Sequence, residues 1–281
     1  MPADNQCENT RNVCSDEKTL EDLREKTAFI CDMDGVIYHG SRLLDGVVRF
    51  VAWLQQSGKR FVFLTNSSER SPRELRQKLL RMNLDVEESH FYTSALATAD
   101  FLSRQRPGAG VYVIGDSGLQ NALYDAGLVI NDVDPEYVVV GETRSFNYEK
   151  VEKAVHLILT KNARLIATNP DVNGPGEYGI VPACGAMVAP IEMAAGVKAY
   201  FVGKPNPLMM RHAMSRLSAR REETVIVGDR MDTDIVAGVE SGIETVLVLS
   251  GVTRRENLPG FAYQPGYVLD GVGDIPGGPE M

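Results

Sequence analysis

A chain of 281 residues with 43% hydrophobic and 24% charged side chains can bury one large core or two modest ones, and its make-up is that of an ordinary globular protein. The net charge of −9 argues against a general nucleic-acid binder, which needs clustered Lys and Arg. It does not exclude a small phosphorylated ligand, which a metal and a few local cations would serve.

No stretch approaches the roughly 20 apolar residues of a membrane span. Residues 1–26 are polar and lack the apolar centre of a signal peptide, so a cytoplasmic protein with no membrane partner is expected. Cys7, Cys14, Cys31 and Cys184 show no metal-ligand or disulfide spacing, and His39, His90, His156 and His212 are scattered. Homo-oligomerisation stays open.

In chain order, residues 1–26 read as a flexible extension ending in a short helix, with Thr19 and Asp22 spaced as a capping box. Short apolar runs then recur at 28–31, 61–64, 111–114, 137–140, 165–167, 200–202, 224–227 and 245–249. They are β-branched or aromatic and bounded by Gly, Asp or Asn, as buried parallel strands are. Helical periods fall between them at 45–56, 72–81, 148–160, 207–216 and 232–240. Ser71, Pro72 and Glu74 specify one helix start as N-cap, first-turn proline and N3 acid. The alternation predicts an α/β fold with a doubly wound, Rossmann-like parallel sheet. Polar motifs flank residues 97–196 but do not enter them. That block is expected to be an inserted domain in a core formed by 27–96 and 197–270, followed by a Gly- and Pro-rich tail, 271–281, that frays.

Four polar clusters directly follow apolar runs: Asp32-Met33-Asp34-Gly35, Thr65-Asn66, Lys204, and Asp229 through Asp234. Each alone reads as a turn, a cap or a surface charge. Together, at the carboxyl ends of parallel strands, they would converge on one crevice. Phosphoryl transfer accounts for the combination. A carboxylate nucleophile splits hydrolysis into two steps, and a hard cation with oxygen ligands, magnesium, offsets its repulsion from the phosphate. Lys204 supplies a point charge, Thr65 a hydroxyl, and backbone N–H groups near Met33 and Asn66 complete the phosphate site. Asp34 suits the general acid and base, because neighbouring carboxylates raise its pKa. The Gly115-Asp116-Ser117-Gly118 run follows a strand, opens a helix and has no suitable histidine, which argues against a serine-protease reading.

The ordered set DMDGVIYHG, FLTNSS, VGKPNP and VIVGDRMDTDI resembles the haloacid dehalogenase superfamily. YTSALATADFL, VVGETRSFNYEK, IATNPDVNGPG and PACGAM narrow the resemblance to its NagD-type phosphatases of subclass IIA, over about residues 27–255. The resemblance implies a core with an inserted α/β cap of type C2. It implies Asp32 as nucleophile and Asp34 as general acid and base. Magnesium would be held by Asp32, Asp229 and the Asp34 carbonyl, and phosphate by Thr65, Asn66 and Lys204. Asp234 would orient Lys204 or metal-bound water, and the turn formed by Arg230, Met231, Asp232 and Thr233 would approach the substrate. An aspartate at position 34 favours a phosphatase over phosphonatases and ion pumps. Nucleoside 5'-monophosphates are the first substrate implied, with sugar phosphates, phosphoglycolate or pyridoxal phosphate as alternatives. A non-catalytic phospho-ligand sensor on the same fold is a competing class. Specificity is assigned to the loop 168–187, where Asn169, Asp171 and Asn173 offer polar contacts and Gly174, Gly176 and Gly179 permit close approach. Residues 177–181 carry extra length relative to the family pattern.

Overall fold

Thr19 opens helix α1 (Leu20–Glu25) with the expected reciprocal cap. Its hydroxyl accepts the Asp22 N–H at 3.3 Å, and its own N–H reaches the Asp22 carboxylate at 2.7 Å. Leu23 of this helix is buried in the main core, so the expected flexible extension is anchored from Thr19 onward. The structure, a computed structural model, describes residues 18–176 and 179–277. Cys7, Cys14, Glu177 and Tyr178 lie outside the described residues.

From there the chain runs through β1 (Ala28–Cys31), a hairpin of β2 (Tyr38–His39) and β3 (Arg42–Leu43), α2 (Val47–Gln56), β4 (Arg60–Thr65), α3 (Pro72–Leu80), β5 (Phe91–Thr93) and α4 (Ser94–Gln105). A second α/β stretch follows: β6 (Gly110–Ile114), α5 (Ser117–Asp125), β7 (Val129–Ile130), β8 (Tyr137–Val140), α6 (Tyr148–Lys161), β9 (Arg164–Ala167), the hairpin β10 (Asn173–Gly176) and β11 (Gly179–Pro182), α7 (Cys184–Ala195) and β12 (Tyr200–Phe201). The return comprises α8 (Pro207–Arg216), β13 (Thr224–Gly228), a π-helical turn (Met231–Ile235), α9 (Val236–Ser241), β14 (Glu244–Val248) and β15 (Tyr267–Leu269).

The core sheet has six parallel strands in the order β15-β14-β13-β1-β4-β5, and the second has five in the order β12-β9-β8-β6-β7. In the core sheet the chain steps from β1 outward to β4 and β5, then returns on the other side through β13. The reversal leaves a crevice beyond the carboxyl ends of β13, β1 and β4. Alternation along β1 explains the two-faced packing. Phe29 and Cys31 enter a cluster with Phe50, Val51 and Leu54 of α2, while Ile30 enters one with Met209, Met210 and Ala237 of α8 and α9. The second cluster continues through α4 into Val111, Val139 and Ile166 of the other sheet.

Some expectations change. The strands β5, β7 and β15 escape the sequence pattern, because two or three residues carry too little periodicity to register. Tyr200 pairs with Ile166 and Phe201 with Ala167, so β12 belongs to the second sheet and not to the core strands expected from 197 onward. A two-residue strand holds no signal for which sheet it joins. The tail does not fray from 271. Val272 and Ile275 are buried in the main core, and the Arg24 side chain donates to the Ile275 carbonyl at 2.7 Å. Glycines and prolines mark the turns there, but the two apolar residues decide the packing. Residues 173–176 and 179–182, expected as loop, pair as an antiparallel hairpin. Among the described residues no helix is long and apolar enough to cross a membrane.

Candidate active site

The buried strand β1 ends at Cys31, and Asp32 continues its hydrogen bonding by donating its N–H to the Val227 carbonyl at 2.8 Å. That fixes the Asp32 side chain at the crevice, 8% exposed. The Lys204 ammonium contacts Asp32 Oδ1 and donates to Asp234 Oδ1 at 2.6 Å. Asp229, immediately after β13, completes a buried trio in which Asp32, Asp229 and Asp234 each offer a carboxylate oxygen within 4.8 Å of the others.

Lys204 arrives from the second sheet, not from a core strand. Val202 and Gly203 donate to the carbonyls of Ala167 and Thr168 at 3.0 and 2.7 Å, carrying the chain past the end of β9 into the crevice. Gly203 is required there, since a Cβ would lie 2.6 Å from both Asn66 Oδ1 and the Thr168 carbonyl. The Asn66 amide then clamps Lys204 by both backbone groups: Oδ1 accepts its N–H at 2.8 Å and Nδ2 donates to its carbonyl at 3.0 Å.

Three carboxylates around one ammonium leave an excess of buried negative charge. Burial pushes the Asp32 carboxyl well up despite Lys204, and Asp234 and Asp229 add to the rise. Asp229 is pushed up to about 7 by burial and by Asp234. Burial alone would lower the Lys204 ammonium, but Asp234 and Asp32 hold it above its ordinary value. The oxygens divide by role. Asp234 spends Oδ1 on Lys204 and Oδ2 on the Arg230 N–H at 3.2 Å. Asp229 Oδ2 accepts the Val252 N–H at 2.7 Å. Asp32 Oδ2, Asp229 Oδ1 and the Asp34 carbonyl accept no hydrogen bond among the described residues, and hard oxygens of this kind fit magnesium. Gly35 makes room beside them: its φ is +80°, and a Cβ would sit 2.5 Å from Asp229 Oδ2.

Asp34 faces different neighbours. Burial raises its pKa, while Lys78, the Tyr38 hydroxyl and Arg70 pull it back. The Lys78 ammonium lies 3.5 Å from the centre of the Tyr38 ring, packed between α3 and the β2 hairpin.

At the end of β4, Thr65 is buried, and its Oγ1 accepts the Ser67 N–H at 3.1 Å, leaving the hydroxyl proton for a ligand. The N–H groups of Met33 and Asn66 have no acceptor among the described residues. Met33 presents only this backbone group, because its side chain is in the core.

Four of the expected site residues need correction in detail. The Asn66 side chain holds Lys204 and Asp171 and is not free for phosphate. Met231 is turned away: its side chain packs with Ile235 and Leu247, its N–H meets Thr253 Oγ1 at 3.4 Å, and its carbonyl accepts from Tyr263 at 2.9 Å. Asp232 is spent on an ion pair with Arg230 at 2.8 Å, and Thr233 is buried in the π turn. That turn, in which Ile235 donates back to Arg230, swings Asp234 under Lys204.

The second sheet reaches the site through Asp171, which accepts from Asn66 Nδ2 at 3.0 Å, and Asn169, which donates to the Asn66 carbonyl at 2.7 Å. Both stand in the loop expected to set specificity. Glu142, Ser68, Tyr38, Lys78 and Val252 were not foreseen. Glu142 had a signal, since it closely follows the apolar strand β8 just as the four recognised clusters follow theirs.

Residues 29–129 match the haloacid dehalogenase-like hydrolase family and residues 201–275 a HAD-hydrolase-like family. The chain is 42% identical to a dihydroxyacetone phosphatase of Corynebacterium glutamicum, over 88% of this chain and 90% of that one. It is 44% identical to the ribonucleotide monophosphatase NagD of Escherichia coli, over 88% of this chain and 96% of that one. The solved structure of that NagD superposes with a TM-score of 0.85 at 43% identity, covering 89% of this chain and 98% of the other. An acid sugar phosphatase of Staphylococcus aureus is 39% identical over 87% of this chain and 95% of its own length.

Proposed function

Because the chain belongs to the haloacid dehalogenase-like hydrolases, among the NagD-type phosphatases, and is accordingly a phosphoric monoester hydrolase, we propose that it cleaves small phosphate monoesters through a phospho-aspartyl intermediate on Asp32. The observation that carries this reading is the buried ammonium of Lys204, set between Asp32 and Asp234 with Asp229 alongside.

Asp32 attacks phosphorus and the ester P–O bond breaks, with the Asp34 proton passing to the leaving oxygen. Lys204, the Thr65 hydroxyl and the N–H groups of Met33 and Asn66 hold the phosphoryl oxygens as charge shifts between them. Asp34, now ionised, takes a proton from the water that attacks the acyl phosphate, and phosphate leaves with Asp32 restored. Asp32, Asp229 and the Asp34 carbonyl would hold Mg2+, whose charge offsets the repulsion between carboxylate and phosphate. Asp234 orients Lys204. Arg230, at the lip of the site, meets the leaving group, with Asp232 steadying it and Thr233 packing the turn beneath.

Nucleoside 5'-monophosphates are the first substrates on this reading. Likeness to a dihydroxyacetone phosphatase and an acid sugar phosphatase supports a second, phosphates of small sugars and polyols. The partner is a small phosphorylated metabolite in either case. Asp32→Asn tests the reading: phosphate release across a substrate panel should vanish while the circular dichroism melt stays cooperative. Normal release by that variant would overturn it.

A further inference from the structure

Glu142 follows the second sheet, two residues beyond β8, and its carboxylate is turned onto Ser68 in the loop that follows Thr65 and begins with Asn66. Oε2 accepts the Ser68 N–H at 3.1 Å and also meets the Ser68 hydroxyl, which in turn accepts the Glu142 N–H at 3.1 Å. Oε1 accepts from Asn169 Nδ2 at 2.6 Å. The same Nδ2 donates to the Asn66 carbonyl at 2.7 Å, while Asn169 Oδ1 is occupied by the Asp171 N–H at 3.1 Å. Asn66 closes the chain of contacts onto both backbone groups of Lys204. Three hydrogen-bonded steps, through Asn169 and Asn66, therefore lead from Glu142 to the backbone of Lys204, whose ammonium meets Asp32.

The chemistry of this knot demands an acceptor at position 142. Ser68 N–H, the Ser68 hydroxyl and the Asn169 amide all present hydrogens to it. A glutamine would have to aim its NH2 at one of these donors. Rotating the Asn169 amide to suit would lose its bonds to both Asn66 and Asp171. Gly141 admits the approach, since a Cβ there would lie 2.5 Å from Ser68 Oγ. Burial pushes the Glu142 carboxyl up, and the hydrogen bonds from Ser68 and Asn169 oppose the rise, offsetting part of the cost of burying it.

We propose that Glu142 is a positioning residue for phosphoryl transfer, holding Ser68 and Asn169 so that Asn66 and Lys204 stay in register with Asp32. The inserted sheet then serves the chemistry as well as the choice of substrate. The inference rests on the reading of Thr65 and Lys204 as the phosphate site. Misplacing a cation that acts on developing charge reduces turnover more than ground-state binding.

The test compares kcat and KM for Glu142→Gln, Asn169→Ala and the double variant, on an aryl phosphate and a nucleoside monophosphate, with melting temperature as a control. Glu142→Gln should lower kcat about tenfold to a hundredfold on both substrates with KM changed less. Its loss in the Asn169→Ala background should be much smaller than in the wild type, because both act through one contact. Losses that multiply independently, or a kcat preserved per folded molecule, would overturn the proposal. If Glu142→Gln does not fold, Ser68→Ala paired with Asn169→Ala puts the same question with the carboxylate retained. Lys204→Ala, run in parallel, separates the two readings. Turnover kept by Lys204→Ala removes the phosphate site itself, whereas turnover lost there and kept in Glu142→Gln removes only the inference about Glu142.

Discussion

Asp32 and Asp34 are two residues apart and meet opposite surroundings, one against Lys204 and the other against Tyr38, Lys78 and Arg70. That separation suits a nucleophile and a proton carrier. A nitrophenolate leaves without a proton, so Asp34→Asn should still form the phosphoenzyme from nitrophenyl phosphate but hydrolyse it slowly. The expected result is a burst of about one equivalent of nitrophenolate followed by a slow phase, read by rapid mixing. Linear release at the wild-type rate would remove Asp34 from the mechanism. Asp32, Thr65, Lys204 and Asp229 were legible in the sequence because each polar side chain stands directly after a short apolar run. The direction of the Asn66 amide was not legible. Residue type states what it can bond, and only the fold states that Lys204 arrives within reach. Glu142 satisfies the same strand-end rule, but an acid inside a segment regarded as remote from the chemistry did not join the set.

Among elements, the start of α3 was readable because side chains specify it. Ser71 caps α3 as expected: its hydroxyl meets Glu74 Oε2 at 2.7 Å and accepts the Glu74 N–H at 3.4 Å. Ser71→Ala should cost about 1 kcal/mol, seen as a lower urea midpoint with unchanged slope and unchanged kcat. The hairpin β10–β11 was not readable, since its glycines and prolines signal turns and not pairing. It begins two residues after Asp171, and Ile180 on it is 79% exposed. Ile180→Asp should therefore alter the ranking of KM values among nucleotide and sugar phosphates and leave nitrophenyl phosphate turnover within about twofold, because the phosphate site needs nothing from β11. An equal loss on every substrate would make the hairpin a general lid.

For the whole molecule, buried charge links metal, protons and stability. Asp229 titrates at about 7 in the folded protein against an ordinary 3.8, and Asp32 is raised as well. A carboxyl with a raised folded pKa binds its proton more tightly in the native state than in the unfolded one. Between pH 3.8 and about 7 the native protein then holds more protons, so its stability falls as pH rises through that window. Above about 7 the penalty is fully present, on the order of a few kcal/mol for Asp229. Metal-free protein should accordingly melt at a higher temperature at pH 6 than at pH 8. Magnesium, binding the ionised carboxylates, should raise the melting point most at pH 8 and flatten the difference. Asp229→Asn removes the titrating group, so its metal-free melting point should vary less with pH, and magnesium should raise it little. The measurement is a set of calorimetric melts with chelator and with magnesium at both pH values. A metal-free protein that melts higher at pH 8 would mean that Asp229 does not titrate in this range, and a magnesium shift that survives in Asp229→Asn would mean that it does not hold the ion.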